Sequence, residues 1–139
     1  MITIKKTTAL VLFSIFLLVL IPFSSHASNE PAIMPRWTGV GNVNTSLVFY
    51  ENEGEAVATI GKVNPATSLE GTLTIYKKID GSWVYVDSIT NSTTRATLNL
   101  VMIFDGISNV EYKMELFVTA YNGTTVIEEI TDTKYARCP

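Results

Sequence analysis

Few side chains in this sequence can serve as a catalytic base or nucleophile. Its single histidine, His26, and its single cysteine, Cys138, stand near opposite ends of the chain. Triad-type catalysis needs an imidazole within hydrogen-bond reach of a Ser or Cys nucleophile, and His26 falls in a segment that we expect to be removed. His-ligated zinc or copper is excluded for the same reason. We therefore predict a protein without a cofactor and without these kinds of enzyme activity.

Carboxylates are the remaining catalytic groups. A glycosidase needs two of them, roughly 5 to 10 Å apart across a cleft, and the sequence offers Glu53 with Glu55 and Glu128 with Glu129. The first pair flanks a glycine in a predicted turn, and the second must point to opposite faces of a regular strand. We interpret both as solvated surface groups. Glu51, Glu53 and Glu55 could offer oxygens to Ca²⁺, but the Asp-rich spacing of calcium loops is missing, so we predict no metal site.

Aromatic residues make the best case for recognition. Tyr76, Trp83 and Tyr85 belong to one predicted hairpin, and several lie on faces that we expect to point outward. Exposed aromatic rings can stack on sugars or anchor a protein partner. The alternative is that Trp83 and Tyr85 pack in the core. Tyr76, Trp83 and Tyr85 are therefore the candidate binding residues.

The next-to-last residue, Cys138, is the only thiol in the chain. A lone cysteine in a secreted protein can form an intermolecular disulfide, which here would give a covalent homodimer or a mixed disulfide. The alternative is a free thiol in a frayed tail, since the ends of small domains are commonly poorly ordered. We favour the frayed tail.

The first residues of the chain have the pattern of a signal peptide. Lys5 and Lys6 precede an apolar run over 9–23, and small residues occupy the −3 and −1 positions before a cleavage site after Ala27. This predicts a signal peptide over 1–27 and a secreted protein with no stable membrane anchor. A transmembrane anchor is the alternative, but it needs about 20 apolar residues, and this run is shorter.

The mature chain is acidic. Removing two of the ten basic residues with the signal peptide leaves eight against thirteen acidic residues, a net charge near −5. Nucleic acids and anionic membranes are bound through clustered Lys and Arg. We therefore predict no nucleic-acid partner and no direct attack on anionic membranes.

Short runs that alternate apolar and polar residues, separated by turn residues, predict an all-β domain. Asp80-Gly81 and Asn122-Gly123 each predict a tight hairpin with a type I′ turn. The predicted layout is a flexible lead-in over 28–36, a domain over 37–135 and a tail over 136–139. The predicted strands are 46–51, 55–63, 69–79, 82–89, 94–103, 111–121 and 124–133.

The segment 106–123 places Ile107 before a polar turn, Tyr112 at the start of an apolar strand, and Asn122-Gly123 after it. This pattern resembles the corner between strands E and F, strand F and the F–G turn of a fibronectin type III or related immunoglobulin-like domain. The resemblance implies a seven-stranded antiparallel β-sandwich in which the Tyr112 hydroxyl bonds back to the backbone. The second strand lacks the tryptophan usual in these domains, and no paired cysteines join the sheets.

The whole layout resembles small secreted proteins of Gram-positive bacteria that have no assigned function. We therefore expect a secreted, non-catalytic module that contacts a protein or cell-wall glycan through a sheet face or edge. Two alternatives stay open. One is a bacteriocin-like protein that acts on competitor cells, and the other, less favoured, is a small hydrolase that uses carboxylates alone.

Overall fold

The computed structural model describes residues 37–139, so the predicted signal peptide and lead-in lie outside the described residues. Seven strands follow one another, as the alternating pattern predicts. Within this range no helix is long and apolar enough to cross a membrane. The strands are β1 (Val40–Tyr50), β2 (Glu53–Lys62), β3 (Ser68–Ile79), β4 (Ser82–Thr93), β5 (Thr97–Asp105), β6 (Glu111–Asn122) and β7 (Thr125–Arg137).

The strands form two antiparallel sheets. One has three strands in the order β1-β2-β5, and the other has four in the order β4-β3-β6-β7. The inner faces of both sheets supply one shared cluster of buried side chains, as expected when each sheet has one buried face. The prediction of a seven-stranded antiparallel sandwich is therefore confirmed at the level of strands and sheets.

Two tight turns join β3 to β4 and β6 to β7. Asp80 and Gly81 have φ angles of 49° and 83° and link Ile79 to Ser82, which is the predicted type I′ geometry. In the second hairpin the strand residues Asn122 and Thr125 pair, so the central residues are Gly123 and Thr124. That turn lies one residue later than predicted and is not of type I′, since only one of its two central residues, Gly123, takes a positive φ, at 64°.

The core comes from the inward half of each alternating strand. In β3, Leu69, Leu73 and Ile75 are buried as the period of two predicts, but Ile79 is 39% exposed. Ile79 precedes the hairpin turn, where the strand extends past the core. The remaining large core residues are Val40, Leu47, Ile60, Leu98, Leu100, Met102, Phe104, Tyr112, Met114, Leu116 and Val118.

The connection between β5 and β6 holds the chain terminus. The Ile107 N–H donates to the Tyr112 hydroxyl at 2.8 Å, the bond that the resemblance implies. Cys138 donates its N–H to Val110 at 3.0 Å and accepts from the Asn109 N–H at 2.9 Å. Strand β7 thus continues past the predicted domain end at 135, and the structure differs from the expectation of a frayed tail over 136–139.

Candidate functional site

The three predicted binding residues lie on the outer face of the four-stranded sheet. Tyr76 points outward because its neighbour Ile75 points into the core, as alternation requires. Tyr76 pairs with Tyr85 of β4 on one side and with Lys113 of β6 on the other, and Lys113 pairs with Tyr135 of β7. One row of side chains therefore crosses all four strands.

Trp83 begins in the next row and extends over this one. It pairs with Lys78, yet its indole ring lies 5.8 Å from the ring of Tyr135 on the far strand and 5.2 Å from the Lys113 ammonium. The indole therefore lies over the middle of the sheet, and Trp83 is half-buried there. We call Tyr76, Trp83, Tyr85, Lys113 and Tyr135 the aromatic face.

The charges of the aromatic face are paired within the protein. The Lys113 Nζ atom lies 2.6 Å from Glu115 and 4.5 Å from the centre of the Tyr76 ring, and 14% of its side chain is exposed. Cation–π contacts of this kind are attractive and hold a lysine against rings. Lys78 forms a second ion pair with Glu111 at 3.1 Å. Both lysines next to the rings are therefore paired with a carboxylate of the same sheet.

The rings are tilted against one another. Tyr76 and Tyr85 meet at 82°, with centroids 6.4 Å apart, and Trp83 and Tyr135 meet at 45°. Tyr85 is 56% exposed and Tyr135 60% exposed, so the outer rings are open to solvent. The arrangement differs from the alternative in which Trp83 and Tyr85 pack in the core, and it is not a flat platform.

Sequence reasoning missed Lys113 and Tyr135. Both carry the right period for the outer face of their strands. What joins them to Tyr76 and Tyr85 is the pairing of β3 with β6, strands distant in sequence, and no local pattern encodes it. With the sheet order known, the strand register would place both residues beside Tyr76.

Of the two candidate carboxylate pairs, Glu53 and Glu55 stand two residues apart in β2 rather than in the predicted turn, and Glu128 and Glu129 do not converge. Glu128 accepts three backbone N–H groups, from Thr38 at 3.0 Å, Gly39 at 2.7 Å and Val40 at 3.0 Å. It thereby ties the start of β1 to β7. Glu129, its neighbour, is exposed on the opposite face, as strand alternation predicts. Within residues 37–139 no three Asp, Glu, His or Cys side chains gather closely enough to hold a metal ion.

A depression of about 390 Å³ on the outer face of β6 and β7 is lined in part by Glu115 and Asp132. The Asp132 carboxylate, however, accepts a hydrogen bond from Thr45 of β1, and Glu115 is paired with Lys113. A larger groove, of about 490 Å³ where the start of β3 meets the end of β4 and the connection to β5, includes one carboxylate, Glu70. Neither offers the carboxylate pair that glycoside hydrolysis requires.

Cys138, the residue considered for an intermolecular disulfide, is buried. Its thiol donates to the Glu51 carbonyl at 3.4 Å, and a side chain at Gly106 would lie within 2.9 Å of the sulfur. In this conformation the sulfur cannot meet a second chain. The intermolecular disulfide considered for Cys138 would therefore require the end of β7 to detach.

No protein-family model matches the chain, and no curated protein matches it. Part of a β-glucuronidase from Parabacteroides merdae is similar, with 15% identity, a TM-score of 0.47, and coverage of 70% of this chain and 13% of that one. The sporulation control protein Spo0M of Bacillus subtilis is similar at 12% identity and a TM-score of 0.42, with coverage of 73% of this chain and 49% of that one. A protein from Archaeoglobus fulgidus is similar at 13% identity and a TM-score of 0.33, covering 70% of this chain and 96% of that one.

This chain spans less than two thirds of the first two of those proteins. Structural similarity at these TM-scores does not indicate what the chain does. The assignment of the chain to an all-β sandwich class depends on its own strands and sheets.

Proposed function

We propose that the chain is a secreted, non-catalytic interaction module of the fibronectin type III kind, which binds a protein partner through its aromatic face. One observation carries this proposal. Four aromatic rings, those of Tyr76, Trp83, Tyr85 and Tyr135, gather around a neutralised lysine on the outside of the four-stranded sheet. None of the four rings belongs to the hydrophobic core cluster, and the outermost two are more than half exposed.

The strand order supports the fibronectin type III assignment. In immunoglobulin constant-type domains the fourth strand joins the sheet of the first two strands, whereas here β4 pairs with β3. A three-stranded sheet of the first, second and fifth strands against a four-stranded sheet is the arrangement of fibronectin type III domains. The hydrogen bond between Ile107 and Tyr112 supports the same assignment.

Ring geometry favours a protein over a glycan as the partner of this face. Sugar rings stack on flat aromatic surfaces, and the rings of Tyr76 and Tyr85 are nearly perpendicular. Protein interfaces are enriched in Tyr and Trp, which act as rigid anchors in the fully buried centre.

Binding is tested with the secreted protein immobilised as bait for surface proteins of the cells that produce it. The double variant Tyr85→Ala/Tyr135→Ala removes the two open rings, and Tyr50→Ala is the matched control. Tyr50 is a tyrosine of similar exposure, 63%, on the other sheet. We expect the double variant to lose the captured protein and Tyr50→Ala to retain it. Equal capture by all three proteins would contradict the proposal.

Export is supported by the sequence pattern of residues 1–27, which lie outside the described residues. The test is sequencing of the N-terminus of protein recovered from the culture medium. We expect it to begin at Ser28. Protein that stays in the membrane fraction with residues 1–27 attached would contradict secretion.

A further inference from the structure

The second feature of interest is a cleft where the two sheets meet along β1 and β7. It has a volume of about 310 Å³, at the lower end of the roughly 300–1,000 Å³ range of small-molecule sites. Thr45 of β1 and Asp132 of β7 are hydrogen-bonded across it. The cleft faces away from the aromatic face, because residues 132 and 134 alternate with Thr133 and Tyr135 along β7.

The apolar wall of the cleft comes from Trp37, Val43 and Ile130. All three are half-buried and pack against the hydrophobic core. Packing on the core holds the indole in place. An indole held in this way offers a rigid apolar surface at little entropic cost on binding.

The polar side of the cleft carries one carboxylate and one ammonium group. Asp132 and Lys134 lie 3.7 Å apart, and their side chains are 33% and 46% exposed. Thr45 donates its hydroxyl hydrogen to the same carboxylate oxygen, Oδ2, that faces Lys134. The carboxylate and the ammonium group offset each other. An anionic ligand that binds Lys134 would lie beside the Asp132 carboxylate, and a cationic ligand that binds Asp132 would lie beside the Lys134 ammonium. A neutral ligand that both donates and accepts hydrogen bonds avoids that cost.

We propose that this cleft binds a neutral sugar residue. The C–H face of the sugar ring packs on the Trp37 indole, a sugar hydroxyl donates to Asp132, and a second hydroxyl or an amide oxygen accepts from Lys134. The site is separate from the aromatic face and does not depend on the function proposed for that face.

The protein has two tryptophans, so replacing one makes the fluorescence of the other a direct test. The Trp83→Phe variant leaves Trp37 as the only indole, so its fluorescence reports the cleft alone. We propose to titrate this variant with the N-acetylglucosamine trisaccharide and with maltotriose up to millimolar concentrations. We expect a saturable change with at least one of the two sugars. No saturable change with either would overturn the proposal.

Two further variants, in the Trp83→Phe background, show whether the cleft is responsible. Asp132→Asn keeps the shape and should weaken sugar binding about tenfold, the effect of losing one charge-assisted hydrogen bond. Glu129→Gln neutralises an exposed carboxylate on the opposite face of β7 and should leave binding unchanged. Affinity that is the same in Asp132→Asn, with the fold retained by circular dichroism, would place the sugar elsewhere and overturn the assignment.

After a positive titration, insoluble cell-wall glycan shows whether the sugar that the protein binds is part of the cell wall. If the wall glycan sediments the protein and the free trisaccharide releases it, the sugar is part of the wall. If the wall glycan fails to sediment a protein that binds the free sugar, a soluble glycoconjugate is the source. The aromatic-face variant Tyr85→Ala/Tyr135→Ala should behave like the parent in both assays, which separates this inference from the proposed function.

Discussion

Removing one oxygen atom from Tyr112 tests what holds the corner between β5 and β6. Tyr112 is 1% exposed, and its ring packs against Phe49 and Phe104 with centroid distances of 5.0 and 5.5 Å. Its hydroxyl accepts the Ile107 N–H at 2.8 Å. The substitution Tyr112→Phe keeps the ring and its packing and deletes only the hydroxyl group, which accepts this bond.

The size of the effect follows from the burial of the donor. A buried donor left without a partner costs about 1–3 kcal/mol. The N–H of Ile107 is only partly buried, so water can replace some of the lost bond. We expect Tyr112→Phe to lower the free energy of unfolding by about 1–2 kcal/mol, out of a total of about 5–15 kcal/mol for a domain.

Urea unfolding of the secreted protein measures this change. With an m-value of about 2 kcal/mol/M, the expected loss moves the midpoint down by about 0.5–1 M. The m-value should not change, because the variant buries the same surface. Tyr85→Phe is the matched control, since its hydroxyl bonds to Ser88 at 3.2 Å on the exposed surface. We expect that control to stay within about 0.5 kcal/mol of the parent.

A free energy of unfolding for Tyr112→Phe within about 0.5 kcal/mol of the parent would refute this role of the hydroxyl. In that case ring packing alone would hold the corner, and the bond to Ile107 would contribute nothing measurable to stability. A reduced m-value would be a different result, because it would indicate a change in the unfolded state or a loss of two-state behaviour.

Three further predictions concern other contacts. Gly54→Ala should cost about 1–3 kcal/mol in urea unfolding, because its Cβ would lie 2.7 Å from Cε2 of the Phe104 ring; an unchanged midpoint would contradict this. Glu128→Gln should speed hydrogen exchange at the three N–H groups it accepts at the start of β1, whereas Glu129→Gln should not; equal rates in both variants would remove this role. The Cys138 thiol should react with Ellman's reagent on the order of 100-fold more slowly in the native protein than in urea, and immediate reaction without denaturant would show that the terminus is open.

Alternation predicted the faces of the central strands well, because their inner positions are apolar whatever the partner strand is. Met114 and Leu116 in β6 are buried for this reason. Alternation could not predict the start of β1 at Val40. The first half of β1 is polar, since it forms an edge of the three-stranded sheet.

Contacts between segments distant in sequence were beyond the reach of sequence reasoning. The burial of Cys138 depends on the loop at Asn109 and Val110, which supplies backbone partners to the last residues. Position at the end of a chain predicts fraying only when such partners are absent. The same limit applies to Lys113 and Tyr135, whose place beside Tyr76 follows from sheet order.

Rings on neighbouring strands also stabilise a sheet, so stability is a second explanation for the aromatic face beside binding. Cross-strand pairs contribute about 0.2–1 kcal/mol each, and Lys113, with 14% of its side chain exposed, contacts two of the rings. Stability alone therefore accounts for the centre of the face. It accounts less well for the rim, because Tyr85 and Tyr135 leave more than half of their surface in water. Truncating the rim rings should therefore weaken binding and change the free energy of unfolding little. Substituting Lys113 should lower the free energy of unfolding and change binding little.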